Sequence, residues 1–213
     1  MRRVLQKICT LFITLMFIFI FSTNAYANSD YKEREYLENY TKVLNAMKEE
    51  VKSSHKCGDV TADFLEEMII HNQGAIYMSE NILKYGSNKK VREISKSVIR
   101  NQIDTITEMS AVLDIMEDNL KIDKEKENEY LKKHEEIIKS MISDMEKIEC
   151  TENVDKHYLK LMNVHQEANI KIARNILNYT EDKTVKKIVD KSLKNSTKQI
   201  EEIKKLRVYL NII

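Results

Sequence analysis

The sequence predicts an all-α fold: a three-helix unit, present twice, forming one helical bundle. Three observations predict it. The 213 residues include no Pro and only 3 Gly, too few for the tight turns of sandwiches, barrels or phosphate-cradling loops. Apolar residues recur every three or four positions, the period of a helix with one buried face. The chain also matches itself, without gaps, at an offset of 94 residues, with about 14 identities over the 46 positions from 64 to 109. Composition agrees, since 42% hydrophobic and 32% charged residues suit amphipathic helices and not disorder. A formal net charge of +1 leaves no electrostatic footprint for nucleic acid.

In chain order, residues 1–27 read as a secretory signal peptide. Arg2, Arg3 and Lys7 form a positive start. An apolar run from Ile8 to Phe21 follows, and Ala25-Tyr26-Ala27 is a small-x-small cleavage signal. The run is short for a span of ~20 residues, so an uncleaved anchor is the lesser alternative. Removing Arg2, Arg3 and Lys7 from 35 basic residues leaves 32 against 34 acidic ones. The expected location is therefore secreted or extracytoplasmic, with no membrane span after cleavage.

The first repeat is expected over 28–122. Its first helix carries Tyr36, Tyr40, Val43, Leu44, Met47 and Val51 on one face. Ser53 to Asp59 breaks it. A second helix begins near the N-cap candidates Thr61 or Asp63 and carries Phe64, Met68, His71, Ala75, Met78 and Ile82. Gly86 reads as its C′ stop and Ser87 as the next N-cap. A third helix carries Val91, Ile94, Val98, Gln102, Ile106, Met109 and Leu113. The second repeat, 123–213, restates this pattern. Phe64-Leu65-x-x-Met68-x-x-His71 falls on Tyr158-Leu159-x-x-Met162-x-x-His165, and Asn81-Ile82-Leu83-x-Tyr85 on Asn175-Ile176-Leu177-x-Tyr179. Short corners make neighbouring helices antiparallel.

The chemistry-bearing residues lie on one stripe. Met68, His71 and Met78 point to one side of the second helix, and the antiparallel third helix brings Gln102 opposite His71 and Met109 near Met68. Imidazole beside thioether suits a soft cation such as Cu(I), with Gln102 fixing the ring tautomer. Methionines at helical spacing also fill cores, and a buried His satisfied by a Gln needs no metal. Both readings stand at this point.

The pattern Phe64-x-x-x-Met68-Ile69-x-His71-x-x-x-Ala75-Ile76-x-Met78, with Val91-Arg92-x-Ile94 and Gln102-x-x-x-Ile106-x-x-Met109, resembles the domain-of-unknown-function 305 family. The resemblance implies secreted bacterial proteins with a ferritin-like helical fold and the motif in two copies. It also implies that some members bind copper or silver through His and Met. Carried over, the implied ligands are Met68, His71, Met78 and Met109 in the first copy, and Met162 and His165 in the second. The family's usual second His is Asn72 or Gln166 here, and its usual acid is Thr105. In the second copy Ile172, Ser196 and Ile203 replace Met78, Gln102 and Met109.

Outside the signal, Cys57 and Cys150 make an even count in an oxidising compartment. A disulfide between them would close a loop of about 94 residues and contribute about 4–5 kcal/mol in the chain-entropy model. The alternative is a thiolate site built on His55-x-Cys57. No Glu-x-x-His or His-Glu-x-x-His occurs, so neither a di-iron nor a zinc-protease enzyme is expected. His134 aligns with Tyr40 and reads as core, whereas His157 reads as solvated. Lys186, Lys187, Lys191, Lys194 and Lys198 form a basic face, read as solvated in preference to a contact with anionic polymer. The expectation is thus a secreted, non-enzymatic soft-metal binder. Its alternative is a ligand-free structural or interaction module of the cell envelope.

Overall fold

The computed structural model describes residues 29–53, 56–116, 118–150 and 153–211. The signal-peptide reading lies outside the described residues. The elements are α1 (Ser29–Ser53), α2 (Val60–Tyr85), α3 (Lys89–Met116), α4 (Lys124–Glu146), α5 (Val154–Ile176) and α6 (Lys183–Tyr209), and no strand occurs among the described residues. Glu33–Ile213 forms one compact unit. No helix among the described residues is long and apolar enough to cross a membrane.

Helix starts follow side-chain caps that recur at the 94-residue offset. Asp59 caps α2 by accepting the Thr61 and Ala62 N–H groups at 2.8 and 3.2 Å. Asn153, its counterpart, caps α5 through the Lys156 N–H at 2.9 Å. Asn88 caps α3 and its counterpart Asp182 caps α6, each accepting two N–H groups. The caps thus sit before Thr61 and after Ser87, not at those residues, because Asp and Asn reach the first-turn donors from just outside the helix. Gly86 does end α2, but at φ −74° and not in the left-handed region. Glycine is needed there for space, since a Cβ would stand 2.6 Å from Asp155 Oδ1 and 2.7 Å from the Ile82 carbonyl.

The helix hairpins α2–α3 and α5–α6 pack against each other, α2 against α5 and α3 against α6. Both cross-pairs run antiparallel. Ser79 on α2 meets Tyr158 on α5 through their hydroxyls at 2.9 Å, while His71, earlier on α2, meets His165, later on α5. On the outer pair Lys90 sits over the Tyr209 ring and Lys191 reaches Glu108 at 2.6 Å. The outer helices are pinned by matching contacts. Asn81 donates to the Tyr36 carbonyl at 2.9 Å, and Asn175 to the Tyr130 carbonyl at 3.3 Å. One hydrophobic cluster draws on all six helices, with Phe64, Met68, Ile82, Met109, Tyr158, Met162 and Ile203 essentially inaccessible. Each such side chain stabilises the fold by about 1.5–3 kcal/mol.

Candidate functional site

The approximate two-fold relation between the repeats sets the site. His71 and His165 are counterparts, and each lies near the middle of its helix. Where α2 crosses α5 a residue close to the axis meets its own counterpart, and the two imidazoles stack with centroids 4.0 Å apart and planes 16° apart. His165 Nε2–H donates to the His71 carbonyl at 3.2 Å, which fixes its tautomer and leaves the lone pair on Nδ1. His165 Nδ1 and both ring nitrogens of His71 are buried without a hydrogen-bond partner.

Burial keeps both rings neutral. It pushes the His165 imidazole down to about 4, against a small opposing effect of the His71 carbonyl. It holds His71 well below the ordinary imidazole value, with His165 and His134 adding to the fall. Neutral imidazole is the ligating form, so the lone pairs are available at neutral pH.

Met68 lies one turn before His71, and Met162 one turn before His165. Because α2 and α5 are antiparallel, these thioethers flank the stack on opposite sides, each about 5 Å along its helix. Met78 and Met109 are also buried, at 2% and 0% exposure. The residue types, depth and neutral state fit a soft cation. Among the described residues no group of three or more His, Cys, Asp or Glu side chains is arranged to hold a metal. A metal here would therefore depend on thioether as well as imidazole.

Several expectations change. The six candidate ligands do not form one site per repeat, because the axis brings His71 and His165 into one place. Gln102 is buried on α3 but makes no hydrogen bond to His71, whose ring turns across the axis toward α5. In the second copy the residue at the Gln102 position bonds to Gln166 and not to His165. Ser196, at the Gln102 position, donates to Gln166 at 2.7 Å, Asn169 donates to Ser196 at 2.9 Å, and the Gln166 amide points at Met162 Sδ at 3.5 Å. Asn72, the counterpart of Gln166, is fully buried with neither amide atom paired.

Cys57 and Cys150 are free, so the expected disulfide is not formed. They precede α2 and α5 respectively, and antiparallel packing puts the starts of those helices at opposite ends. The 26-residue α2 is about 39 Å long, whereas a disulfide needs Cα atoms within about 7 Å. Burial pushes the Cys57 thiol up to about 12, keeping it protonated, and His55 lies outside the described residues.

His157 is buried and not solvated. It is held by the Tyr36 hydroxyl at 3.0 Å and the Ile148 carbonyl at 3.1 Å. His134 is core as expected, bonded to the Tyr130 hydroxyl at 2.9 Å with its Nε2 3.2 Å from Glu67. In the basic face of α6, Lys186, Lys191 and Lys198 pair with Glu181, Glu108 and Glu202. The stack itself was missed from sequence. Its signal was present, since a polar residue that matches its own repeat in mid-helix is a candidate for the symmetry axis.

A family model described as "Domain of unknown function (DUF305)" matches residues 59–209. The chain belongs to the DUF305 family. The DUF305 match begins at the cap of α2 and ends with the last residue of α6, so α1 lies outside it. The chain is also similar to the crystal structure of a DUF305 fragment from Deinococcus radiodurans. The TM-score is 0.50 at 14% identity, over 68% of this chain and 93% of that one. That likeness speaks for the fold alone. No curated protein is significantly similar to the chain.

Proposed function

We propose that this DUF305 protein is a non-enzymatic, extracytoplasmic binder of a soft metal ion, copper(I) first, at one site shared by both repeats. The observation that carries this is the pair of neutral buried imidazoles with three unpartnered ring nitrogens. A buried polar atom without a partner is costly, and a cation that accepts the two lone pairs removes that cost at two of the three nitrogens, leaving one His71 N–H. His71 and His165 would hold the ion, with Met68 and Met162 as the adjacent thioethers and Met78 and Met109 as further candidates. Thioether and imidazole together favour Cu(I) over hard cations. The positive start, apolar run and Ala25-Tyr26-Ala27 of the first 27 residues support export.

The shared site sets the stoichiometry at one ion per chain. Thermal melting with and without Cu(I), anaerobic and reducing, tests it, since a ligand that binds only the folded state raises the midpoint. A rise that saturates at one equivalent, and disappears in both His71→Ala and His165→Ala, is expected. Two equivalents, or loss in only one variant, would return the site to separate repeats.

A second reading has its own support. In the stack the ring planes are nearly parallel, so their in-plane lone pairs do not converge on one point. Read this way, the imidazoles and methionines are core, and the protein is a ligand-free module of the envelope. An unchanged midpoint with copper, silver and zinc would decide for it.

A further inference from the structure

Away from the imidazole pair, buried acids gather where the first repeat meets the second. The connection between α1 and α2 is clamped from two sides. Asp63 on α2 accepts the Cys57 N–H at 2.9 Å, and Glu127 on α4 accepts the Gly58 N–H at 2.7 Å. The Asp123 N–H reaches the Gly58 carbonyl at 2.9 Å, and the Lys121 N–H reaches Asp59 at 2.7 Å. Asp63 and Glu127 are buried, at 0% and 3% exposure, and hold the adjacent Cys57 and Gly58 N–H groups side by side. Two neighbouring carboxylates repel and cannot bond each other, because each is acceptor-only. Without a proton Asp63 Oδ2 has no donor.

We propose that one proton, carried on Asp63 and donated to Glu127, closes this connection as a pH-sensitive latch between the two repeats. The surrounding charges direct the proton to Asp63. Lys124 sits 3.2 Å from Glu127 and favours its ionised form. The other nearby lysine, Lys56, pairs with Glu67, whose carboxylate also faces His134. Asp59 has its oxygens taken by the Thr61, Ala62 and Lys121 N–H groups. Glu66 adds negative charge beside Cys57, and Tyr130 on α4 stays protonated close to Asp63.

Burial pushes the Asp63 carboxyl up to about 6; the Cys57 N–H opposes this and Glu127 adds to it. Burial resists ionisation of Glu127, but its bonds from Asp63, Lys124 and Gly58 prevail and hold it below the ordinary carboxylate range. Asp63, with its raised value, stabilises the closed form fully below about 3.8, and this contribution is lost as pH rises through about 6. Glu127, with its lowered value, contributes above about 4.5 and loses that as pH falls. The latch is therefore tightest near pH of about 4, weakens as pH rises and is lost above about 6. Only one repeat carries it, since the counterparts of Asp63 and Glu127 are His157 and Glu33, and His157 is bonded to Tyr36 and Ile148.

Amide hydrogen exchange of Cys57 and Gly58 in the full protein tests the latch. After correction for intrinsic base catalysis, exchange is expected to speed up about 10-fold from pH 5 to pH 8. In Asp63→Asn the amide is a permanent donor to Glu127 and still accepts from Cys57, so exchange should stay slow and flat with pH. Flat exchange in the wild type, or a retained pH slope in Asp63→Asn, overturns the latch. A carboxyl-carbon NMR titration of wild-type Asp63 decides independently of any variant. A midpoint near 6 is expected, and one near 3.8 overturns the proposal. None of these readouts depends on metal binding.

Discussion

At Gly58 the chain turns with φ +94°, in the left-handed region. A Cβ there would meet Ile122 Cγ2 at 3.0 Å and the end of Lys124. Lys124 can swing away, but the backbone cannot change hand without releasing the Gly58 N–H from Glu127. Gly58→Ala should therefore cost about 1–2 kcal/mol, the penalty for a side chain in that conformation, read by chemical denaturation. A cost near zero would mean the turn relaxes to an ordinary φ. Gly86 is a different case, as its backbone suits any residue and only crowding by Ile82 O and Asp155 forbids a Cβ. Sequence alone marked Gly86 as a stop but supplied the wrong physical reason, because the crowding comes partly from α5, 69 residues away.

Among the elements, α1 is the one outside the family match, and polar contacts help attach it. Asn81 takes the Tyr36 carbonyl, the Tyr40 hydroxyl reaches the Met145 carbonyl at 3.2 Å, and Lys48 pairs with Glu146. Asn81→Ala should destabilise by about 1 kcal/mol, the net worth of one neutral hydrogen bond. Amide exchange in α1 should rise ahead of exchange in α2 and α5, and uniform change across all helices would argue against local loosening. The counterpart Asn175→Ala should act in the same way on α4. Helix identity and buried faces were readable from periodicity because each helix has one clear apolar stripe. Cap positions were less so, since Asp59, Thr61 and Asp63 are all acceptable caps by residue type and only the packed loop selects among them.

At the scale of the molecule, four histidines among the described residues are buried, and burial lowers all four imidazoles below their ordinary value. The sign follows from linkage. Above about 6.5 both folded and unfolded rings are neutral; below it the unfolded chain gains protons that the folded one refuses. Stability is thus full above about 6.5 and falls with pH until each folded value is reached, about 4 for His165 and about 3 for His134. His165 alone should cost about 3 kcal/mol across that window. Global melting is expected to weaken from pH 7 to pH 4 even as the Asp63 latch tightens, and His165→Gln should flatten part of that slope. An acid slope unchanged by the substitution would place the effect elsewhere.

The residue pattern by itself determined the all-helical class, the six helices seen among the described residues, the faces turned inward and the 94-residue repeat. Each of these follows from local periodicity, turn residues and self-similarity, which short stretches of chain carry in full. Tertiary structure alone decided which residues meet. Antiparallel packing of α2 on α5 separates Cys57 from Cys150 by a helix length, because equivalent loops fall at opposite ends. The same packing stacks His71 on His165, because a mid-helix residue near a two-fold axis faces its own counterpart. Where the axis crosses the helices depends on how two apolar faces interlock, and no window of sequence contains that.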